Sequence, residues 1–293
     1  MNRVLGDRKT IIVLLAPALL TYTLAMLVPM LWSLGYTVFD GNIIRGFTYS
    51  GFSNFVHVFQ DHKAHQAIIF TVKYAITITI GQVVLGYLLA LLYVFFLKRS
   101  STLIRTLTFF PVVLPTVAVS MLFERFFEIA PTIGPVNSVL QAVGIDAVNW
   151  FGSGGNAFFV IAAMDIWRSM GFYAILLYAG LVDIPDDVIE SSRLDGASGW
   201  SLARHIVIPL SWPVLVSALI FSINGTLKVF DSIYALTGGG PGQETTPLTL
   251  YMYQTAFAYG QYGYGSTIAL TLTIMCLLVT LLIFRSSRKD PAS

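Results

Sequence analysis

The segment IPDDVIESSRLDGASGWSLARHIVIPL, residues 184–210, interrupts an otherwise strongly apolar chain. Its four carboxylates, with a fifth directly before it, are Asp186, Asp187, Glu190, Asp195 and Asp183. Gly196 stands near its middle. This polar segment, interrupted by glycine, separates two long apolar runs. The interpretation of the whole chain therefore depends on what this segment does.

The composition places the rest of the chain in a lipid bilayer. Of the 293 residues, 56% are hydrophobic and only 11% are charged, and the mean hydropathy is +0.75. Soluble domains carry about 25% charged residues. The net charge of +2 is too small to indicate a nucleic-acid partner. The single cysteine, Cys276, excludes a disulfide within the chain.

Six apolar segments are long enough for a membrane-spanning helix, which needs about 20 residues. They are residues 11–39, 68–97, 103–127, 157–181, 206–236 and 264–284. The segments lack the two-residue alternation of a membrane barrel, so an all-α membrane protein with one transmembrane domain over residues 1–293 is predicted. The first segment is much longer than the apolar region of a signal peptide, and we expect it to remain as the first span. Prolines within the spans predict kinks at Pro17, Pro29, Pro111, Pro115 and Pro213.

The basic residues predict the orientation of the spans, because cytoplasmic loops are enriched in Lys and Arg. With six spans, eleven basic residues fall on one side: Arg3, Arg8, Lys9, Lys98, Arg99, Arg105, Arg193, Arg204, Arg285, Arg288 and Lys289. Three fall on the other: Arg45, Lys63 and Arg125. We therefore expect both termini and segment 184–210 to be cytoplasmic.

Local sequence predicts two short helices in segment 184–210. Pro185 suits a first helical turn, and Asp186 and Asp187 favour the positive end of the helix dipole. Gly196 allows a sharp change of direction, and Ser198 can cap a second helix. Apolar residues of the two helices are Val188, Ile189, Leu194, Trp200, Leu202, Ala203 and Ile206. Two interpretations fit this surface: a docking site for a partner protein, or a loop lying on lipid headgroups.

Two motifs resemble a known family. The residues Glu190-Ser191-Ser192, three further residues, Gly196, nine residues and then Ile206-Val207-Ile208-Pro209 follow the spacing of the bacterial ABC importer permease signature. Ser191 and Ser192 replace two alanines of that signature, and Ile208 replaces a leucine, all with similar sizes. Asp195-Gly196-Ala197, the segment 236–241 and the segment 250–257 resemble the carbohydrate-uptake subfamily, the maltose- and glycerol-phosphate-type permeases.

This resemblance implies a type I ABC importer permease, with six transmembrane helices and a cytoplasmic coupling helix pair between the fourth and fifth spans. The implied partners are a second homologous permease, two ATPase subunits and an extracellular or periplasmic sugar-binding protein, in the bacterial cytoplasmic membrane. ATP and Mg would be used by the ATPases, with no cofactor bound by this chain. The residues implied to dock the ATPase are Glu190, Ser191, Ser192, Asp195, Gly196, Ala197 and Pro209.

Polar residues inside the spans are candidates for the substrate pathway, because intramembrane charges usually face a cavity or a partner. Asn224, Lys228 and Asp231 are spaced to share one helical face. With Trp167, Tyr173 and Tyr234 they form the predicted pathway for a sugar. Asp165 with Arg168, and Lys228 with Asp231, could instead be ion pairs that hold helices together. Lys73 lies near the outer end of the second span.

Other signals are weaker. The Gly238–Gly242 region lacks the lysine of a phosphate-binding loop, so we interpret it as an outer turn. His57, His62 and His65 lack a metal-ligand spacing, and no metal site is predicted. The sequence shows no nucleophile–base set and no ATP-binding motif, which favours a transporter subunit over an enzyme. The alternative function is a self-contained secondary transporter or channel, which would require an internal inverted repeat that is not visible.

Overall fold

A computed structural model describes residues 8–97 and 101–287. Fourteen α-helices lie in these ranges: α1 Arg8–Tyr22, α2 Val28–Tyr36, α3 Ser53–Gln60, α4 His62–Phe95, α5 Ser101–Val113, α6 Thr116–Phe127, α7 Pro135–Ala142, α8 Gly154–Val182, α9 Asp186–Leu194, α10 Gly199–Leu202, α11 Ile208–Thr226, α12 Asp231–Leu236, α13 Leu248–Tyr253 and α14 Tyr262–Ser287. Strands β1 Phe39–Asn42 and β2 Gly46–Tyr49 form an antiparallel hairpin. Wider π-helical turns at Thr23–Leu27, Ala203–Val207 and Gln254–Ala258 continue the helices they follow.

Five helical stretches in the described chain are long and apolar enough to cross a membrane: Ile11–Tyr36, His62–Phe95, Gly154–Val182, Gly199–Thr226 and Tyr262–Arg285. A sixth span requires α5 and α6 to count as one, and these two helices meet at 95°. The bend falls at Leu114 and Pro115, where Pro115 adopts extended backbone and the helical hydrogen bonds stop. The all-α membrane architecture is therefore confirmed, with the third span sharply broken.

The chain divides into two compact units, and the first comprises residues 1–65 and 252–271. Within it, Asn54 Nδ2 donates to the carbonyls of Thr37 (3.0 Å) and Phe39 (2.9 Å), which holds the hairpin against α3. The Tyr264 hydroxyl donates to Asp61 Oδ2 at 2.6 Å. Side chains from residue 11 to residue 32 are all exposed. Such an apolar surface is stable in hydrocarbon and costly in water.

The second unit comprises residues 66–251 and 272–293, and its core has two clusters of buried side chains. The first cluster joins α4, α6, α8, α12 and α13 through Phe70, Tyr74, Ile78, Val119, Val160, Ile161, Met164, Ile233, Leu236 and Leu250. The second joins α4 and α8 to α10, α11 and the π-helical turn between them through Val83, Tyr87, Ala90, Tyr173, Leu177, Leu181, Leu202, Val207 and Ala218. Helices α4 and α8 therefore run through both clusters.

Close helix contacts in this unit depend on glycine. A Cβ on Gly171 of α8 would lie 1.9 Å from the Thr108 carbonyl oxygen of α5. A Cβ on Gly86 of α4 would lie 2.8 Å from Cβ of Tyr173. Small residues allow membrane helices to approach closely and gain dispersion contacts, which replace the hydrophobic driving force that lipid removes.

Helix bounds differ from the predicted spans at two further places. The first span ends at Tyr36 and the chain enters strand β1, so residues 37–39 are not helical. The fifth span, predicted over 206–236, ends at Thr226, and α12 is a separate helix. Phe230 leaves helical geometry (φ −142°, ψ −60°), and the Val229 carbonyl accepts a hydrogen bond from Thr249. Hydrophobicity alone did not reveal this break, because Lys228 and Asp231 stand within a longer run that is apolar on average.

Candidate functional site

The segment predicted to dock a partner has the expected bend. Helix α9 ends in a Schellman motif, in which the Ala197 N–H bonds the Ser192 carbonyl (2.9 Å) and the Gly196 N–H bonds the Arg193 carbonyl (3.0 Å). Gly196 takes φ +90°, a left-handed conformation that favours glycine. Ser198 stands at the N-cap of α10 without a side-chain capping bond. The bend is therefore fixed by backbone hydrogen bonds.

Most of the predicted docking residues are on the surface. Glu190, Ser191, Asp195, Gly196 and Pro209 are exposed, and Ala197 is half-buried. Large apolar side chains beside them are also exposed, with Leu194 at 89% and Trp200 at 71%. A soluble surface rarely presents such residues together without a partner.

The two serines that replace alanines do not add free hydroxyls to this surface. Ser192 is buried, and its hydroxyl donates to the Val188 carbonyl at 2.6 Å. Ser191 is exposed, and its hydroxyl donates to the same carbonyl at 3.2 Å. Because each hydroxyl is satisfied within α9, the outer face keeps the apolar character that alanine would give.

The inner face of the segment is anchored to the long helices. Leu202 and Val207 are buried in the second core cluster, and Ile184, Ile189 and Ala197 pack against it. A displacement of the segment therefore requires α4 and α8 to move with it or to lose buried contacts.

A cavity of about 430 Å³ lies between α4, α5, α8 and α11 in the second unit. Its polar and charged lining comprises Gln82, Thr116, Asp165, Arg168, Ser169, Ser222, Thr226, Lys228, Asp231 and Ser232. Its aromatic lining comprises Tyr74, Phe172, Tyr173, Phe221 and Phe230. Hydroxyl, amide and charged groups beside aromatic faces suit a polar organic ligand with one apolar face.

Asp165 is the buried carboxylate of this cavity. Its Oδ2 accepts a 2.6 Å hydrogen bond from the Tyr74 hydroxyl and a 2.9 Å hydrogen bond from Ser232 Oγ. Three elements, α4, α8 and the start of α12, meet at this carboxylate. A buried carboxylate needs such donors, because leaving it unpaired costs several kcal/mol.

Arg168, one helical turn beyond Asp165, is not its ion-pair partner. No ion pair at or below 4.0 Å joins Asp165 to Arg168, and the Arg125–Glu128 pair, at 3.0 Å, lies elsewhere in the described ranges. The buried Arg168 Nε has no hydrogen-bond partner among the described residues. Neither Asp165 and Arg168 nor Lys228 and Asp231 forms an ion pair within 4.0 Å, although the charge of Arg168 still acts on the Asp165 carboxylate. The interpretation of the two couples as pairs that hold helices together stays a prediction.

The predicted pathway residues are only partly brought together. Tyr173, Lys228 and Asp231 line the cavity. Asn224 does not: its Nδ2 donates to Thr280 Oγ1 of α14 at 2.9 Å and to the Ile220 carbonyl at 2.9 Å. The single helical face predicted for Asn224, Lys228 and Asp231 does not exist, because α11 ends at Thr226.

Three other candidates lie outside this cavity lining. Trp167 packs its ring on Phe123, with centroids 5.7 Å apart. Tyr234 stacks on Phe230 at 5.3 Å. Lys73 places its ammonium 4.1 Å from the centre of the Phe158 ring. Their role in the substrate pathway stays a prediction.

The sequence reasoning missed a polar ladder between α4 and α11, which reaches the cavity through Gln82, Ser222 and Thr226. Gln82 Nε2 donates to Ser222 Oγ at 2.5 Å, and Ser222 Oγ donates to Thr79 Oγ1 at 3.0 Å. The Thr79 and Thr226 hydroxyls lie 3.2 Å apart. Further along α4, the Tyr87 hydroxyl lies 2.8 Å from Ser211 Oγ of α11 and extends the ladder. One residue in the sequence could have indicated this ladder. Gln82 places an amide in an apolar span, and such amides commonly hydrogen-bond to a neighbouring helix in a membrane.

The glycine-rich turn packs against the start of α8. Glu244 Oε2 accepts a 2.7 Å hydrogen bond from the Gly154 N–H, at the positive end of that helix. A Cβ on Gly239 (φ +90°) would lie 2.4 Å from Thr246 Oγ1, so the turn requires glycine there. Elsewhere, the His57 ring stacks on Tyr264 at 4.2 Å. In residues 8–97 and 101–287, no three His, Cys, Asp or Glu side chains are arranged to hold a metal ion.

Comparison with known proteins identifies the family. The model of the family described as "Binding-protein-dependent transport system inner membrane component" matches residues 82–289. The chain belongs to this family, and it is therefore a multi-pass membrane permease subunit of such a transport system. The matched region contains the docking segment, the glycine-rich turn and the cavity lining other than Tyr74 and Ile78.

Two curated relatives are similar over most of their length. The "Probable ABC transporter permease protein YurN" of Bacillus subtilis (strain 168) is 33% identical over 238 residues, which cover 80% of this chain and 81% of that protein. The "Trehalose/maltose transport system permease protein MalF" of Thermococcus litoralis is 33% identical over 238 residues, covering 81% of this chain and 79% of that protein.

A solved structure has the same fold. A chain from the crystal structure of a bacterial ABC transporter involved in the import of the acidic polysaccharide alginate superposes with a TM-score of 0.84. The match covers 95% of both chains at 23% sequence identity. The helical arrangement described above is thus that of ABC importer transmembrane subunits.

Proposed function

We propose that this chain is the permease subunit of an ATP-driven importer of a sugar or oligosaccharide. The observation that carries the proposal is the combination, in one family member, of an exposed bent docking segment and a polar, aromatic-lined cavity. The trehalose/maltose permease of Thermococcus litoralis, 33% identical, supports a carbohydrate substrate.

The docking segment is the proposed contact with an ATPase. Two ATPase subunits would bind and hydrolyse ATP with Mg, and Glu190 would pair with a basic ATPase residue. Closure of the ATPases would push the segment, and its anchoring on α4 and α8 through Leu202 and Val207 would carry that motion to the cavity. Such a device needs contacts with one partner that differ between two states.

The remaining parts of the assembly are proposals of the same kind. A second, homologous permease would complete the pathway, and a binding protein outside the membrane would deliver the sugar, as the family description supports. The distribution of basic residues supports cytoplasmic termini and a cytoplasmic docking segment. Phe221, Lys228 and Asp231 are exposed at the cavity mouth, which suits completion of the pathway by another subunit.

The test is purification and uptake with a matched pair of variants. The full assembly, with sugar-loaded binding protein, is reconstituted in proteoliposomes with wild-type chain, Glu190→Gln or Glu124→Gln. Both glutamates are exposed, but only Glu190 lies on the docking segment. We expect an ATPase to copurify with the wild type, and Glu190→Gln to lower the sugar imported per ATP while Glu124→Gln does not.

Two results would contradict the proposal. One is sugar uptake by the isolated chain without an ATPase, driven by an ion gradient, which would establish the secondary-transporter alternative. The other is normal coupling in the Glu190→Gln and Gly196→Ala variants, which would remove the docking assignment.

A further inference from the structure

A separate cavity of the second unit, which we call the α4–α10 groove, lies between the end of α4 and the second helix of the docking segment. Its volume is about 610 Å³. The α4 wall comprises Leu88, Leu91, Leu92, Phe95 and Phe96. The opposite wall comprises Arg193, Gly199, Trp200, Leu202, Ala203 and Val207. Among these lining residues Arg193 is the charged one, so the groove is an apolar space with a cation at one side.

The α4 wall is continuous with a face of that helix that lipid contacts. Leu88, Leu92 and Phe96 recur at intervals of four residues and therefore share one helical face. Their exposed fractions are 55%, 38% and 76%. Because α4 is a membrane-spanning helix, this exposed apolar face is stable against hydrocarbon. An acyl chain lying on α4 can therefore reach the groove without crossing water.

The floor of the groove is closed by protein. Leu202 and Val207 belong to the second core cluster, and Leu91 and Phe95 pack against it. Small side chains at Gly199 and Ala203 leave the space between the two walls. The volume lies within the range of about 300–1,000 Å³ that is usual for ligand sites. The groove is thus an indentation that a linear apolar chain can fill.

The polar side of the groove suits an anionic headgroup. Arg193 is exposed in the last turn of α9, and no carboxylate of the described residues pairs with it within 4.0 Å. Arg204 is also exposed and directly follows the lining residue Ala203. Trp200 is 71% exposed, and tryptophan is enriched where a membrane meets water. A guanidinium matches the geometry of a phosphate group, to which it can donate two hydrogen bonds.

We propose that the α4–α10 groove binds an anionic phospholipid, with one acyl chain between α4 and α10 and its phosphate on Arg193. The lipid belongs to the leaflet on the side of the docking segment. Because an acyl chain in the groove exchanges one apolar environment for another, the selectivity comes from the charge of the headgroup. A bound lipid would connect the docking segment to α4 and stabilise the folded chain by mass action. This site is additional to the proposed function and does not depend on the transported molecule.

The experiment measures lipid binding in the complete importer, reconstituted in phosphatidylcholine nanodiscs. A fraction of the lipid is replaced by phosphatidylglycerol brominated on its acyl chains, or by phosphatidylcholine brominated in the same way. Bromine quenches tryptophan fluorescence at short range, and the Trp200→Phe variant defines the share of the signal that comes from Trp200. Thermal unfolding with and without phosphatidylglycerol is the second measurement, and it also shows whether each variant is folded.

Two pairs of variants separate the headgroup from the acyl chain. Arg193→Gln removes the cation of the groove, and its control, Arg285→Gln, removes an exposed cation in the last turn of α14, outside the lining. Ala203→Leu places a larger side chain in the wall of the groove. Its control, Ala118→Leu, makes the same change at an exposed position of α6.

We expect brominated phosphatidylglycerol to quench Trp200 more strongly than brominated phosphatidylcholine at the same fraction. Arg193→Gln should lower this preference by about fivefold, the contribution of one basic residue near an anionic headgroup. It should also reduce the rise in melting temperature that phosphatidylglycerol causes, whereas Arg285→Gln should behave like the wild type. Ala203→Leu should weaken quenching by both lipids, and Ala118→Leu should not.

Three results would overturn the proposal. Equal quenching by the two brominated lipids would show that the groove takes bulk lipid without regard to charge. An unchanged preference in folded Arg193→Gln would remove the headgroup contact. Quenching that occurs in the isolated full chain and disappears in the complete importer would show that another subunit occupies the groove. None of these measurements uses transport, so a failure of sugar import would leave their outcome unaffected.

Discussion

The hydroxyl of Tyr74 donates a 2.6 Å hydrogen bond to Asp165 Oδ2, and this bond joins α4 to α8 inside the second unit. Ser232 Oγ supplies the second donor at 2.9 Å. Both helices belong to the two buried clusters of the unit, so the carboxylate links the walls of the cavity through groups that are all buried.

Tyr74→Phe should destabilise the protein, because Asp165 keeps its burial but loses one of its two donors. Hydrogen bonds to charged groups contribute about 1.5–3 kcal/mol in soluble proteins, and interhelical bonds measured in membranes average about 0.6 kcal/mol. We expect a fall of about 1–3 kcal/mol in the free energy of unfolding, measured by thermal or denaturant unfolding in detergent. Tyr259→Phe, at an exposed tyrosine, is the control. Equal stability of the two variants would contradict the structural role of the bond.

Gly171→Ala should disturb the contact between α5 and α8. The added methyl would lie 1.9 Å from the Thr108 carbonyl oxygen, which is backbone and cannot rotate away. Overpacking of this kind costs about 1–3 kcal/mol. The control is Gly155→Ala in the same helix, where a Cβ meets nothing within 4 Å and helix propensity favours alanine by about 1 kcal/mol. Unfolding in detergent should show a lower melting temperature for Gly171→Ala alone; an unchanged value would contradict the close approach.

Gly196→Ala tests the bend of the docking segment separately from backbone strain. Gly196 (φ +90°) and Gly144 (φ +82°) both have left-handed backbone, and at each of them a Cβ would meet no atom within 4 Å. Alanine at either position should cost about 1–2 kcal/mol. We expect both variants to lose similar stability, while only Gly196→Ala lowers the sugar imported per ATP hydrolysed. Equal coupling in the two variants would contradict the docking role of the bend.

Asn224 and Lys228 should behave differently although both were predicted as pathway residues. Asn224 is paired with Thr280 between α11 and α14, so Asn224→Ala should lower stability by about 1 kcal/mol. Thr280→Val should have a similar effect, and the double variant should cost less than the sum. Lys228→Gln, at the exposed cavity mouth, should alter the KM for sugar with little change in stability. An additive double variant, or a larger KM effect from Asn224→Ala than from Lys228→Gln, would contradict this division.

The sequence predicted the local features of the docking segment well. Pro185 and the two following aspartates mark the start of α9, and Gly196 provides the bend with φ +90°. These features depend on neighbouring residues and backbone preferences, which a linear pattern contains. The β-hairpin after the first span was not predicted, because its four-residue strands fall in a connector with no extended alternation.

The breaks in two spans were harder to read. Prolines at 111 and 115 predicted kinks in the third span, yet their positions could not give the 95° between α5 and α6. Just after the end of α11 at Thr226, the Val229 carbonyl accepts a hydrogen bond from Thr249, 20 residues along the chain. A hydrogen bond between residues so far apart in the sequence produces no pattern in the spacing of apolar residues, so the sequence could not predict it.

By itself, the sequence determined the membrane class, the helical architecture and the family, because hydrophobic length and the spacing around Gly196 are properties of the linear chain. The tertiary structure decided which polar side chains share the cavity. It turned Asn224 toward Thr280, gave the Asp165 carboxylate to Tyr74 and Ser232, and left Arg168 Nε without an acceptor among the residues that the structure describes. The spacing of residues in the sequence predicts which side chains share one face of a helix. It does not predict which of them hydrogen-bond to other helices, and those bonds determine which polar groups face the cavity.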